Sequence, residues 1–341
     1  VNHVAIDLGS KTSRICVMSE DGKVVEECDR PTGRLRSFLG KQPQSRVILE
    51  TCSEAFRVAD IAKELGHDVR VVPSTLAPSL GVGQRGIKTD ARDARVLSEA
   101  SCRVELRSVH IPTATARERK AMCAMRESLV SARTKLINSA RGYLRQQIRQ
   151  LPKGGTTATF PERVRKLFRE TSASPVPQFL EWVLTSIDAL NVQIIEADKR
   201  SEEVAENDPT CRRLMTVPGV GPITAIRFSA AVDEVERFPS AHRLQSYLGL
   251  TPGENSSSER KRRTGLTKAG QPRVRWALTQ AAWAARRYYK AHPMVSWSLQ
   301  VEQRRGRKVA IIALARKLAG ILFAVWRDQS TYNVSHPVPA T

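Results

Sequence analysis

The spacing of apolar residues divides the chain into two unlike stretches. Through the first hundred residues short β-rich runs alternate with helical ones. His3 to Leu8 (H-V-A-I-D-L), Ser13 to Met18 and Lys23 to Cys28 predict three antiparallel strands, with Asp21-Gly22 as the turn before the third. A helical stretch at Leu35 to Leu39 leads to a buried strand at Arg46 to Glu50 and a helix at Ala55 to Leu65. A strand at Val69 to Val72, stopped by Pro73, and a helix at Thr89 to Cys102 follow. The order βββ, α, β, α, β, α describes an α/β domain, a mixed sheet flanked by helices.

Beyond it helical spacing takes over. Thr113 to about Arg149 predicts a long helix with Leu129, Leu136, Ile137 and Leu144 as a narrow apolar stripe beside a basic face, ended by Pro152, Gly154 and Gly155. From about Pro177 to Glu206, Leu180, Val183, Leu184, Ile187, Leu190, Ile194 and Ile195 recur every three or four positions. That stripe suits a partner helix, from this chain or from another subunit. Leu214 to Ala225 (L-M-T-V-P-G-V-G-P-I-T-A) predicts a helix end, a turn and a new helix from Pro222. Gly219 and Gly221 there permit close backbone approach. They match a helix-hairpin-helix, whose amides hold nucleic-acid phosphates, and they equally suit any tight helical corner. Ser240 is placed to cap a helix through Leu248, Pro272 to open another, and Val309 to Trp326 is an amphipathic core helix. The expected organisation is an α/β domain with its trailing helix at 1–150, a linker and coiled-coil helix at 151–206, a mainly helical domain at 207–330 and a tail at 331–341.

Charge narrows the partners. The 341 residues contain 55 Lys plus Arg against 34 Asp plus Glu, a net charge of +21. Such an excess calls for a polyanion, and nucleic acid answers because neutralised phosphates release counterions. The apolar run from Val309 to Leu314 is soon cut by Arg316 and Lys317, so no membrane span is expected. The first residues show no basic-then-apolar signal pattern, with Asp7 already interrupting them. Six cysteines with no C-x-x-C pair and no partnering His cluster fit reduced thiols, and a cytoplasmic setting is expected. Aromatics at 5% argue against base stacking as the main mode of binding.

Two places carry candidate chemistry. Asp7 ends the first strand, Glu50 ends the fourth, and Asp90 and Asp93 sit three apart on one helical face. Each alone has a structural use, as a turn cap, a solvated acid or half of a surface ion pair. As a set, four oxygen donors without His or Cys suit Mg²⁺ or Mn²⁺, two of which can clamp a phosphodiester. The second place is Tyr247 to Trp276, Y-L-G-L-T-P-G-E-N-S-S-S-E-R-K-R-R-T-G-L-T-K-A-G-Q-P-R-V-R-W. Here Ser256, Ser257 and Ser258 precede Arg260, Lys261, Arg262, Arg263, Lys268, Arg273 and Arg275, with Glu259 the one acid from Ser256 to Trp276. Its first half has no hydrophobic face, so it is expected as an exposed cationic loop leading to a helix N-terminus.

The acid pattern resembles the RuvC-type, ribonuclease-H-like fold with a D-E-D-D set. V-A-I-D-L-G-S-K-T also resembles the phosphate loop of actin-like kinases, yet the second Asp-Gly-Gly loop and adenosine-side glycine pair of those enzymes are missing. V-P-G-V-G-P-I-T-A, R-F-P-S-A-H-R-L-Q-S-Y-L-G-L-T-P, the serine run and T-K-A-G-Q-P-R-V-R-W-A-L closely resemble the IS110 type of insertion-sequence transposase, including its IS1111 branch. The resemblance runs through nearly the whole chain. It implies a RuvC-like domain joined to a serine-bearing transposase domain, with Asp7, Glu50, Asp90 and Asp93 holding Mg²⁺. It also implies a serine nucleophile five residues after the G-L-T-P proline, which is Ser257. The family often has Gly next, whereas this chain has Ser258, so Ser256 and Ser258 remain alternative registers. Further implications are donor and target DNA as partners, an element-encoded guide (bridge or seeker) RNA, a dimer or tetramer, and a place at the bacterial nucleoid. A metal-only junction resolvase is the competing activity.

Overall fold

A computed structural model describes residues 1–80, 90–171, 175–254 and 263–333. The chain divides into two compact units, Val1–Pro112 and Thr113–Thr341.

In the first unit β1 (Asn2–Asp7), β2 (Thr12–Met18) and β3 (Val24–Pro31) form an antiparallel meander. The chain continues through α1 (Leu35–Leu39), β4 (Ser45–Glu50), α2 (Ala55–Glu64), β5 (Asp68–Val72) and α3 (Asp90–Arg103). The described strands form one mixed sheet in the order β3-β2-β1-β4-β5, with β1 parallel to β4 and β4 parallel to β5. Strand alternation sorts the side chains onto two faces. Val4, Ile6, Val47, Leu49, Val69 and Val71 pack on α1 and α2 through Leu35, Leu39, Val58 and Ala62. Ala5, Ile48 and Val72 face the other way, against Leu97 and Ala100 of α3. This arrangement fits a RuvC-like DEDD domain.

The second unit is mainly helical. The long helix α4 (Ala114–Gln146), 33 residues, is N-capped by the Thr113 hydroxyl, which accepts from the Ala116 amide. It is followed by α5 (Phe160–Thr171), α6 (Gln178–Asn207), α7 (Pro209–Met215), α8 (Pro222–Val232) and α9 (Ala241–Tyr247). The region of α5 falls where the sequence predicts linker. In fact Phe160, Val164 and Phe168, at four-residue spacing, bury against Ile137, Ala140 and Leu144 of α4 and Leu180, Leu184 and Ile187 of α6. Those α6 positions are the expected stripe, and within this chain α4 is its partner, with Arg133 donating to Asn191 at 2.9 Å. Ile195, assigned to the stripe from sequence, is instead 66% exposed.

Next come β6 (Pro252–Glu254) and β7 (Arg263–Leu266), a small antiparallel pair, then α10 (Pro272–Tyr288), α11 (Pro293–Arg305) and α12 (Arg307–Arg327). A second core joins Leu214, Ile226, Phe228, Leu244, Leu278, Leu314, Leu318 and Leu322. The expectation that no segment could span a membrane needs correction: α12 is long and apolar enough by length and composition. Its residues Ile311, Leu314, Leu318, Leu322 and Phe323 are nevertheless interior here, so its apolarity serves the core.

Candidate active site

Register brings two of the four acids together. Ile6 on β1 is the partner of Leu49 on β4 in the parallel ladder, so Asp7 and Glu50 are the next residues at the carboxyl ends of adjacent strands. Parallel neighbours lie about 4.8 Å apart. Alternation puts Asp7 with Ala5, and Glu50 with Ile48, on the α3 face of the sheet.

Hydroxyls on α3 fix its direction across that face. Ser101 bonds the His3 imidazole Nδ1 at 2.7 Å, and Ser98 donates to the carbonyls of His3 at 2.9 Å and Cys16 at 3.1 Å. Ala94 packs with Cys16 and Met18. The helix therefore runs antiparallel to β1, with its first turn toward the end that carries Asp7. From Ser101 back to Asp93 is about 12 Å along a helix, and from His3 to Asp7 about 13 Å along a strand. The two acids come level, and Asp93 is only 3% exposed. Asp90 opens α3, and its side chain lies outside the described set. Among the described residues no three His, Cys, Asp or Glu side chains close into a metal-holding group. The acids that strand register and helix direction place toward this end of the sheet, Asp7, Glu50 and Asp93, are all carboxylates, the donor type suited to a hard cation. Arg14, the β2 partner of Asp7 in register, is engaged by Glu27 and Asp29 at 3.3 Å each. Burial pushes the Cys16 and Cys211 thiols up to about 11, so neither is a thiolate at neutral pH.

The serine run has firm roots. Glu254 of β6 pairs with Arg263 of β7, and Pro252 with Leu266. Ser256, Ser257, Ser258, Arg260, Lys261 and Arg262 lie outside the described residues. Below the hairpin, a Cβ on Gly249 would meet the amides of Ala269 and Gly270 at 2.7 and 2.8 Å, so two backbones cross there without room for a side chain. Arg275 tightens this crossing by donating to the Gly270 carbonyl and, at 3.3 Å, to that of Leu248. Lys268 is exposed at φ +54°. Arg273 is 3.0 Å from Glu127 of α4.

Gly219 and Gly221 differ. Gly219 takes φ +86°, and a Cβ there would run into the Ala281 carbonyl and Ala285 of α10. Gly221, the N-cap of α8, has no atom within 4 Å of an added Cβ.

One positioning residue has no mark in the spacing of apolar positions. Arg227 stands in the apolar helix α8 with its side chain 4% exposed, 3.2 Å from Glu127. It donates to the Cys123 carbonyl at 3.1 Å, and its guanidinium lies 5.8 Å from the Trp276 ring centroid. It ties the first turns of α10, just beyond the serine hairpin, to α4. The available signal was an arginine inside the run A-I-R-F-S-A-A.

Comparison with known proteins gives this arrangement a family. A DEDD-type IS110 transposase model matches residues 4–148, and a model for the IS116/IS110/IS902 transposase family matches residues 211–294. The chain belongs to the IS116/IS110/IS902 family of transposases. Among its relatives is a Sinorhizobium fredii protein named as transposase y4qE, 30% identical over 300 residues, covering 79% of this chain and 72% of the relative. The transposase of element IS1111A from Coxiella burnetii is 26% identical over 97% of this chain and 91% of its own length. That of IS1328 from Yersinia enterocolitica is 27% identical over 98% and 99%. This transposase is thus a DNA recombination enzyme, with DNA as its partner. Its DEDD-type domain points to use of a divalent metal.

Proposed function

We propose that this transposase is an RNA-guided recombinase that cuts and rejoins DNA through Ser257, assisted by Mg²⁺ at Asp7, Glu50, Asp90 and Asp93. The observation that carries the reading is the meeting of Asp7 and Glu50 at the ends of adjacent parallel strands, with the start of α3 brought to the same edge. A divalent cation held there supplies positive charge beside the reacting phosphate. The Ser257 oxygen attacks phosphorus and loses its proton, the bond from phosphorus to the 3′-oxygen breaks, and that oxygen leaves protonated as a 3′-hydroxyl. The phosphoserine ester conserves the bond energy, and attack by a 3′-hydroxyl on it rejoins strands without ATP. Arg260, Lys261, Arg262, Arg263 and Lys268 would grip the charged phosphate. Gly219 and Gly221, with Arg273 and Arg275, are further candidates for contacting nucleic acid. Guide RNA rests on the family resemblance and agrees with the net charge of +21. Pairing through a guide would take sequence choice out of the protein. In the family the serine of one copy reaches the acids of a neighbouring copy, so a dimer or tetramer on DNA belongs to the proposal.

Covalent trapping tests it. Denaturing gels of the protein with cognate DNA and Mg²⁺ should show a protein–DNA adduct that Ser257→Ala abolishes, while Ser256→Ala and Ser258→Ala retain it. Cleavage that survives Ser257→Ala, with no adduct in the parent, would establish the metal-only resolvase instead. Asp7→Asn and Asp93→Asn should each stop cleavage. Sequencing RNA that copurifies with the protein checks for the guide.

A further inference from the structure

Apart from the acid edge and the serine hairpin, a cleft of about 560 Å³ lies between the last turns of α10 and the first turn of α12. Its wall includes Trp283, Arg286, Arg287, Tyr288 and Arg307, and among the described residues no acid lines it. That volume is within the range of pockets that enclose a small organic ligand. Although aromatics are scarce in this chain, two of them meet here. The Arg307 guanidinium lies over the Trp283 ring at 4.8 Å, and that of Arg287 over the Tyr288 ring at 5.3 Å. Each pair is a flat π surface carrying positive charge, the kind of platform on which a nucleobase stacks beside its phosphate.

Two more features favour an anionic ligand. Arg286 lines the wall with its guanidinium held in an ion pair with Glu302, so it is kept charged there. Gly306, at φ +82°, begins the 21-residue α12 without a side-chain cap, leaving first-turn amides to be satisfied from outside. Arg304, Arg305 and Lys308 flank the same corner. Bases inside a duplex are already stacked on each other and cannot enter such a cleft, whereas an unpaired nucleotide can.

We infer that this cleft binds one unstacked nucleotide of a single DNA strand, its base against Trp283 or Tyr288 and its phosphate among Arg286, Arg287 and Arg307. The assignment to DNA follows from the transposase reaction, which parts DNA strands where it cuts them. It rests on DNA being the substrate and not on which serine is the nucleophile.

The full-length Ser257→Ala protein separates the two questions, because binding is read without cleavage. A short single-stranded oligodeoxynucleotide containing 5-iododeoxyuridine should photocrosslink to Trp283 or Tyr288, as mapped by mass spectrometry. Trp283 also packs on the core, so the exposed Tyr288 and its neighbour carry the affinity test. Tyr288→Ala and Arg287→Gln should each weaken single-strand binding about fivefold or more, the lower range for a lost base–aromatic stack. Affinity for a duplex of the same sequence should stay within about twofold. Crosslinks confined to other residues, single-strand affinity unchanged in both variants, or an equal loss for duplex would overturn the site. Tighter capture of the matching RNA, or competition by free deoxynucleoside monophosphate at the oligonucleotide's own concentration range, would overturn its assignment to a DNA strand.

Discussion

At Gly219 the requirement for glycine is doubly determined, by the left-handed backbone and by the wall of α10. Replacement by Ala should cost about 3 kcal/mol, combining left-handed strain with forced separation of packed helices. Gly221→Ala, with open space and φ −101°, should cost less than about 1 kcal/mol. Urea denaturation of both variants checks the contrast, and equal losses would refute it. His292 offers a second test. Its Nδ1 accepts the Met294 amide at 3.3 Å as the N-cap of α11, and its Nε2 lies 3.3 Å from the Tyr332 hydroxyl. Those contacts assign the proton of the neutral ring to Nε2. Desolvation lowers its pKa from the ordinary 6.5, so the unfolded chain binds the proton more readily than the folded one. The resulting stability is present above pH 6.5 and is lost as pH falls through the lowered folded pKa. Melting temperature should therefore drop from pH 7.5 toward 5.5, and His292→Asn, which keeps a capping side chain, should flatten that drop.

Among the elements, α3 and the turns around the serine hairpin do most to place chemistry. That β1 and β4 end in acids was legible from their short apolar runs and the Asp and Glu that close them. Their adjacency was not, because strand order is a long-range property and β2 and β3 intervene in sequence. The depth of Asp93 was equally hidden. Arginines flank it at Arg92 and Arg95, which suggests a surface pair, and only the docking of Ser98 and Ser101 on β1 turns that helix face inward. The segments β6 and β7 are too short, at three and four residues, for alternation to register. The stretch holding α5 was hidden by the Gly and Thr residues that precede Phe160. Glu127 on α4 joins Arg227 and Arg273, and so fixes the start of α10. Glu127→Gln would leave the Arg227 guanidinium with carbonyl partners alone. It should destabilise the fold by about 2 kcal/mol, less than a fully buried pair because Glu127 is partly exposed. If denaturation midpoints of Glu127→Gln and the parent coincide, this clamp carries no weight.

For the whole molecule, the charge of +21 is a statement about salt. A protein that neutralises six to ten phosphates loses roughly 10³- to 10⁵-fold in affinity between 50 and 200 mM salt. DNA binding by this transposase should fall by an amount in that range, measured by fluorescence anisotropy at fixed temperature. A nearly flat dependence would mean that the basic surface does not engage the backbone. Among its described residues the helical unit has two separate cores, one around α8, α10 and α12 and one where α5 covers the far halves of α4 and α6. The helix α4 takes part in both, through Cys123 in the first and Ile137, Ala140 and Leu144 in the second. At 33 residues it is about 50 Å long. Such a rod is a lever, and a tilt of about 5° where it rests on α8 near Cys123 sweeps its other end, about 35 Å away, through about 3 Å by simple geometry. Small repacking beside Cys123 or Arg227 would thus be felt most strongly at Tyr143 and Phe179, the aromatic pair at the rod's distant end.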